Sequence, residues 1–509
     1  MGKNQLKLGS ILSYLQMALS VIIGMLYTPI MIRLLGQNEY GLYQMVASTI
    51  AMLSILSLGF NSSYIRYFAK YKKENNNEAI YKLNGLFLII FFVIGIVALL
   101  CGLVLTNNLN LVFDEGLTTD EYATAKVLML LMTINLAISF PMSVFQNIIS
   151  ANEKFVFLKL LGMLKTVASP LVTLPLLYAG FRSITMVVVS LCIAIFTDAC
   201  YFIYVVLVLK QKFVFHDFEK GLFKDLFVYT SFIAINLIID QINWNVDKFL
   251  LGRFKGTASV AVYSVGYSLY NYYMMFSTAI SGVFTPRIHG IINETKDNIE
   301  EQRKRITDLF VKVGRIQFLI LSLLATGLIF FGKPFIALWA GEGYEEAYNV
   351  TLLLALPSTI TLMQNVGIEI QRAQNKHKFR SIVYLLMAIA NLIISIFACQ
   401  KWGPTGAAAG TAISLIVANG LIMNIYYHKK CNINILAFWK NILRMCIGLI
   451  IPCFTGILIM QYMDFSRTYM LFVGIGIYTV IYAISMWLLS MNKYERSLVL
   501  KPIKRVIRK

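Results

Sequence analysis

Residues Asn236–Lys248 read NLIIDQINWNVDK, inside a stretch apolar enough to cross a membrane. Asn236, Asp240, Asn243 and Asp247 fall at i, i+4, i+7 and i+11, which places them on one face of an α-helix. An Asp or Lys at mid-bilayer costs roughly 2.5–3.5 kcal/mol on insertion scales. A helix carrying Asp240, Asp247 and Lys248 therefore turns them toward protein or a water-filled cavity, not toward lipid. The expectation is a solute-binding cavity with this helix in its wall. The plainer alternative is a stripe that only joins helices.

The rest of the chain extends the membrane reading. Of 509 residues, 58% are hydrophobic and 14% charged, and the mean hydropathy is +0.69. A soluble domain carries far more charge. Apolar runs of about 20 residues, the length a bilayer core requires, recur from end to end. They are continuous rather than alternating, which excludes a β-barrel. The first run, Leu8 to Ile32, is too long for a signal-peptide core. The fold expected is an all-α polytopic membrane protein with about 14 transmembrane helices.

An even number of helices puts both termini on one side. With the N-terminus inside, 36 of the 45 Lys and Arg residues fall in inner segments and 9 in outer ones. That asymmetry favours cytoplasmic termini. It also accounts for most of the formal charge of +20 without nucleic acid. The basic tail KPIKRVIRK is suited to anionic headgroups of the membrane lipid. The seven cysteines and four histidines are scattered, with no metal-ligand or disulfide spacing, so no metal site is expected.

The chain echoes itself at an offset of about 220 residues. Leu34-Leu35-Gly36 with Tyr40–Ser48 resembles Leu250-Leu251-Gly252 with Val260–Ser268, and Pro141 with Gln146-Asn147 resembles Pro357 with Gln364-Asn365. Each copy holds six helices, so the copies run the same way, a plan in which transporters place the site between halves. The expected division is an N-terminal lobe, 1–214; a C-terminal lobe, 215–431; and two added helices with the tail, 432–509.

Other helices carry polar stripes in matching places. One has Asn135, Ser139, Ser143, Gln146 and Ser150; another has Thr361, Asn365, Glu369 and Arg372. Arg66, Arg287 and Arg372 lie at or just inside inner helix ends, and Arg33 at an outer end. Such arginines commonly snorkel to headgroups. Together Arg66, Arg287 and Arg372 also suit a diphosphate, because a guanidinium binds phosphate oxygens in pairs. Arg33 is expected at an outer gate.

The segment Ile32-Arg33-Leu34-Leu35-Gly36 with Glu39–Tyr43, then Gly59-Phe60-Asn61 and Ile65-Arg66, resembles the start of Wzx-type polysaccharide flippases. Asp247–Gly252 with Val262-Tyr263 resembles their seventh-to-eighth helix junction. The resemblance implies membership of the MOP superfamily, with lipid II flippases and MATE exporters. It implies a two-lobed flippase in a bacterial cell membrane that turns an undecaprenyl-diphosphate-linked oligosaccharide outward by alternating access. Polysaccharide polymerase and assembly proteins would be its partners. Asn236, Asp240, Asn243, Asp247, Lys248, Asn365 and Glu369 would bind sugar hydroxyls or a coupling sodium ion or proton; no other cofactor is expected.

An ion-coupled exporter of cationic drugs and a lipid II flippase remain alternatives. Buried carboxylates suit an exporter of cations; cavity arginines do not. A polymerizing enzyme is disfavoured by the short outer loops, so no enzyme activity is expected.

Overall fold

A computed structural model describes residues 2–113, 117–218, 221–295, 297–465 and 467–507. Side chains of the tail KPIKRVIRK lie outside the described residues. Long apolar stretches with few breakers fold as helices because only a helix satisfies every backbone polar group within its own segment in lipid. Among the described residues 11 helices are long and apolar enough to cross a membrane, or 12 if the bent pair Ala347–Met363 and Val366–Ala373 is one span.

Fourteen crossings exceed this number for two local reasons. The stretch His377–Lys430 counts once, yet Gly403 interrupts it with a left-handed φ of 53° just before Pro404. A turn of that sign favours glycine. The helix Thr257–Ser281 is rich in tyrosine and is not among the 11. The 45° bend of the broken pair falls at Gln364–Asn365, beyond Pro357. A second break precedes Asn61. A 3-10 turn at Leu53–Ser57 and left-handed Leu58 and Gly59 separate Gln37–Met52 from Phe60–Lys73.

The chain forms two compact units. The first comprises Met1–Ser264 with Ser395–Pro404, and the second Val265–Ile394 with Thr405–Lys509. In the first unit Thr119–Ala151 is central, packed on Asn77–Asn107 and Ser183–Ile203, while Gly2–Leu35 packs on Phe155–Tyr178. Its core is aromatic, with Phe60, Tyr64, Phe68, Phe87, Phe91 and Phe145 buried together. Phe92, Val93, Ile96, Leu100 and Val104 remain exposed on the other face of Asn77–Asn107, as lipid solvation requires. In the second unit Ile299–Ala340 packs against Ala347–Met363, Ile435–Cys446 and Thr468–Leu489.

The helix Gln37–Met52 sits so close to the start of Thr257–Ser281 that a Cβ on Gly41 would lie 1.9 Å from the Thr257 carbonyl oxygen. Backbone cannot yield there cheaply. Gly41→Ala is expected to destabilise the protein by about 1–3 kcal/mol or more. A melting temperature unchanged from wild type in detergent would overturn the assigned contact.

Candidate functional site

The stripe on Thr119–Ala151 meets a second polar set inside the first unit. Asn135, Ser139 and Gln146 line a cavity of about 350 Å³ with Tyr43, Lys165, Ser190 and Asp198. The i, i+4, i+11 spacing turns the three stripe residues to one side. Packing of that side against Ser183–Ile203 and Gln37–Met52 brings them to Asp198 and Tyr43. Asp198 is 9% exposed; the Gln146 side chain is in hydrogen-bonding reach of its carboxylate, and the Lys165 charge faces it. The Ser139 hydroxyl donates to the Leu136 carbonyl at 2.7 Å, so toward the cavity it offers lone pairs. Ser143 lies outside this lining: its hydroxyl donates to the Phe140 carbonyl at 2.6 Å, beside Asn61, which accepts from the Asn147 amide at 2.6 Å.

A cavity of amides, hydroxyls, one carboxylate and one ammonium can bind a solute rich in hydroxyl groups. Carboxylate and amide oxygens accept sugar O–H groups, and amide and ammonium N–H groups donate to sugar oxygens. Of the polar lining only Asp198 is buried, so it is the group whose bonding a solute changes most.

The polar residues of Asn236–Lys248 separate into two sets. Gln241 donates to Ser54 at 3.0 Å, Asn245 to Gln241 at 2.6 Å, and Lys248 Nζ to Gln44 at 3.3 Å. Asp247, 1% exposed, accepts from the Tyr263 hydroxyl at 2.8 Å. Asn245–Gln241 lies within the helix, and the other bonds fasten Leu222–Lys255 to its neighbours in the first unit. Asn236 and Asp240 are exposed and Asn243 is half-buried. Residues 241, 245 and 248 also follow helical spacing, so polar groups cover a wider arc than the single stripe of 236, 240, 243 and 247. Joining helices and lining an open face are both present on this one helix.

The arginines are distributed over both units. Arg33 and Arg66 are exposed in the first unit. In the second, Val366–Ala373 packs on Thr285–Glu294, the helices that carry Arg372 and Arg287. Arg372 is 64% exposed and bonded to Glu369 at 2.7 Å. Asn365 donates to the Ser277 hydroxyl at 3.4 Å.

The two charged cavity residues, Asp198 and Lys165, are absent from the sequence-based site, although each was visible. Asp198 is a lone acid in the apolar helix Ser183–Ile203, and an intramembrane acid is a functional candidate by default. Lys165 reads as a flanking inner cation. It stands ten residues into Phe155–Tyr178, roughly 15 Å along the axis at 1.5 Å per residue.

With this geometry in hand, comparison with known proteins is decisive at the family level. Residues 7–291 match the family model described as polysaccharide biosynthesis protein. The chain belongs to that family. Its match contains every lining residue of the cavity, Lys165 and Asp198 included. A Shigella flexneri protein named for O-antigen transport is 20% identical over 416 residues, covering 78% of this chain and 92% of that one. The capsular polysaccharide biosynthesis protein CapF of Staphylococcus aureus is 24% identical over 211 residues, 41% of this chain and 50% of CapF.

Among solved structures, the lipid II flippase MurJ in an inward closed conformation superposes with a TM-score of 0.69. The sequences are 17% identical, and the match covers 97% of this chain and 99% of MurJ. An inward-facing MATE transporter gives a TM-score of 0.61 at 14% identity, covering 82% and 99%. The family member described here is therefore a multi-pass membrane protein with the helical fold of the MOP superfamily.

Proposed function

We propose that this protein flips an undecaprenyl-diphosphate-linked oligosaccharide from the cytosolic to the outer leaflet of a bacterial cell membrane by alternating access, with both termini cytoplasmic. The observation that carries the reading is the polar cavity of Asn135, Ser139, Gln146, Ser190 and Asp198 within an apolar helical unit. Such a cavity gives a glycan the hydrogen bonds that it loses on leaving water. Kinship with an O-antigen transport protein and with CapF supports a lipid-linked glycan as the cargo. Arg66, Arg287 and Arg372 attract the diphosphate as it approaches, and exposed Asp240 and Asn236 offer contacts to sugar hydroxyls or to a coupling proton or sodium ion.

The test is extraction of polyprenyl-linked glycans from cells that lack this protein, beside an assay of surface polysaccharide. Completed units are expected to accumulate on the cytosolic side while surface polysaccharide is lost. Unchanged lipid-linked pools and unchanged surface glycan, in a strain without a second flippase, would overturn the reading. Dye efflux in an exporter-deficient host would then test the exporter alternative.

A further inference from the structure

We propose that Arg380, held by Tyr384 and Tyr427 in the second unit, is a binding site for the phosphate group of a lipid. The inference deepens the flippase reading and rests on it for the identity of that lipid as a polyprenyl diphosphate.

Arg380 lies one turn into the helix that starts at His377. Its guanidinium donates to the Tyr384 hydroxyl at 2.6 Å and to the Tyr427 hydroxyl at 3.3 Å, and it stands 4.3 Å from the centre of the Tyr384 ring. Tyr384 passes its own proton to the Asn419 side chain. The guanidinium is thus fixed in place by neutral groups. Four arginines of the described structure have acidic partners: Arg182 has Glu39, Arg305 has Glu294, Arg315 has Glu495 and Arg372 has Glu369. Among the described residues, the groups bonded to the Arg380 guanidinium are phenols.

The sequence shows why no acid reaches it from its own helix or from the helix that carries Tyr427. Between Glu369 and Asp464 there is no Asp or Glu, while Arg372, Lys376, Lys378, Arg380, Lys429 and Lys430 all fall there. A half-buried cation without a carboxylate keeps its charge for an outside anion. An arginine has five N–H donors in a planar fork, and two oxygens leave most of that fork unused. The Tyr427 side chain is 2% exposed, and its hydroxyl accepts from Arg380 while giving its own proton to no acceptor among the described residues. The arrangement therefore presents donors and positive charge, with no carboxylate paired to it among the described residues. That is the complement of phosphate oxygens, which accept several charge-assisted hydrogen bonds at once.

A polyprenyl diphosphate and a phospholipid headgroup share this chemistry, and the experiment separates them. Purified protein in neutral detergent would be titrated with farnesyl diphosphate, and separately with phosphatidylglycerol, for wild type, Arg380→Gln and Arg380→Lys. Arg380→Gln is expected to weaken farnesyl diphosphate binding at least about tenfold, and Arg380→Lys to restore part of it, since lysine returns the charge without the fork. An equal loss for phosphatidylglycerol would assign the site to lipid phosphate in general, and a loss confined to farnesyl diphosphate would assign it to the polyprenyl carrier.

Unchanged farnesyl diphosphate binding in Arg380→Gln would overturn the proposal. Should Arg380→Gln melt early, Tyr427→Phe, which removes only one hydroxyl, takes its place with a smaller expected loss. The binding assay uses no glycan and no cells. The site therefore stands or falls separately from the fate of lipid-linked glycans in the deletion strain.

Discussion

Replacing Glu495 by alanine is expected to lower stability by about 3–5 kcal/mol, because it strands a buried guanidinium. Arg315 and Glu495 are 9% and 2% exposed. Arg315 Nε and Nη2 donate to the two carboxylate oxygens at 2.6 and 2.9 Å, and Nη2 also reaches the Ser490 carbonyl at 2.9 Å. Glu495 in turn accepts from the Asn492 backbone N–H at 2.9 Å, while its own N–H donates to the Asn492 side chain at 2.9 Å. One carboxylate thus neutralises a cation inside Ile299–Ala340 and caps the start of Lys493–Ile507. Arg315→Met with Glu495→Leu removes both charges, and the pair is expected to recover most of the loss. Melting temperatures in detergent read the result. A double variant no better than Glu495→Ala would show that the cap, not the stranded charge, sets the cost.

Asp198→Asn is expected to reduce surface polysaccharide at least about tenfold at unchanged membrane protein level. A hydrogen bond to a charged group contributes about 1.5–3 kcal/mol. That amounts to a factor of ten or more when the carboxylate accepts sugar hydroxyls. Asparagine keeps the size and one acceptor oxygen but turns the other position into a donor, opposite to what a hydroxyl donor needs. Lys165→Ala at the same cavity is expected to act in the same direction with smaller effect, because Lys165 is exposed where Asp198 is buried. Wild-type polysaccharide in Asp198→Asn would remove the cavity from the transport path, whatever becomes of the flippase reading itself.

The helical stripes were legible because they are local. Asn135, Ser139 and Gln146 sit on one face by spacing alone, and the structure places all three at one cavity. Ser143 belongs to the same stripe, yet it is not in the cavity lining, and its hydroxyl donates to the Phe140 carbonyl of its own helix. The stripe on Leu222–Lys255 was legible as polar, but its partners were not. Gln44 and Ser54 lie about two hundred residues earlier, and which side of the helix meets them depends on packing. Asp198 and Lys165 escaped for the converse reason. Asp198 is the one acid in its helix, and Lys165 shares its helix with Lys159 at a spacing that puts the two on different faces, so no stripe draws attention to either.

Sequence alone determined the solvent, the all-helical class and the family. Apolar runs of bilayer length leave no alternative to membrane helices, and charge asymmetry across their ends depends on composition rather than contacts. Only the tertiary structure decided which charges meet. Arg315 and Glu495 are 180 residues apart, Asp198 faces Lys165 from another helix, and Arg380 receives two tyrosines in place of an acid. The physical reason is range. Helix formation and bilayer insertion depend on residues within a few turns of one another, whereas an ion pair or a cavity requires side chains that packing brings together from distant helices.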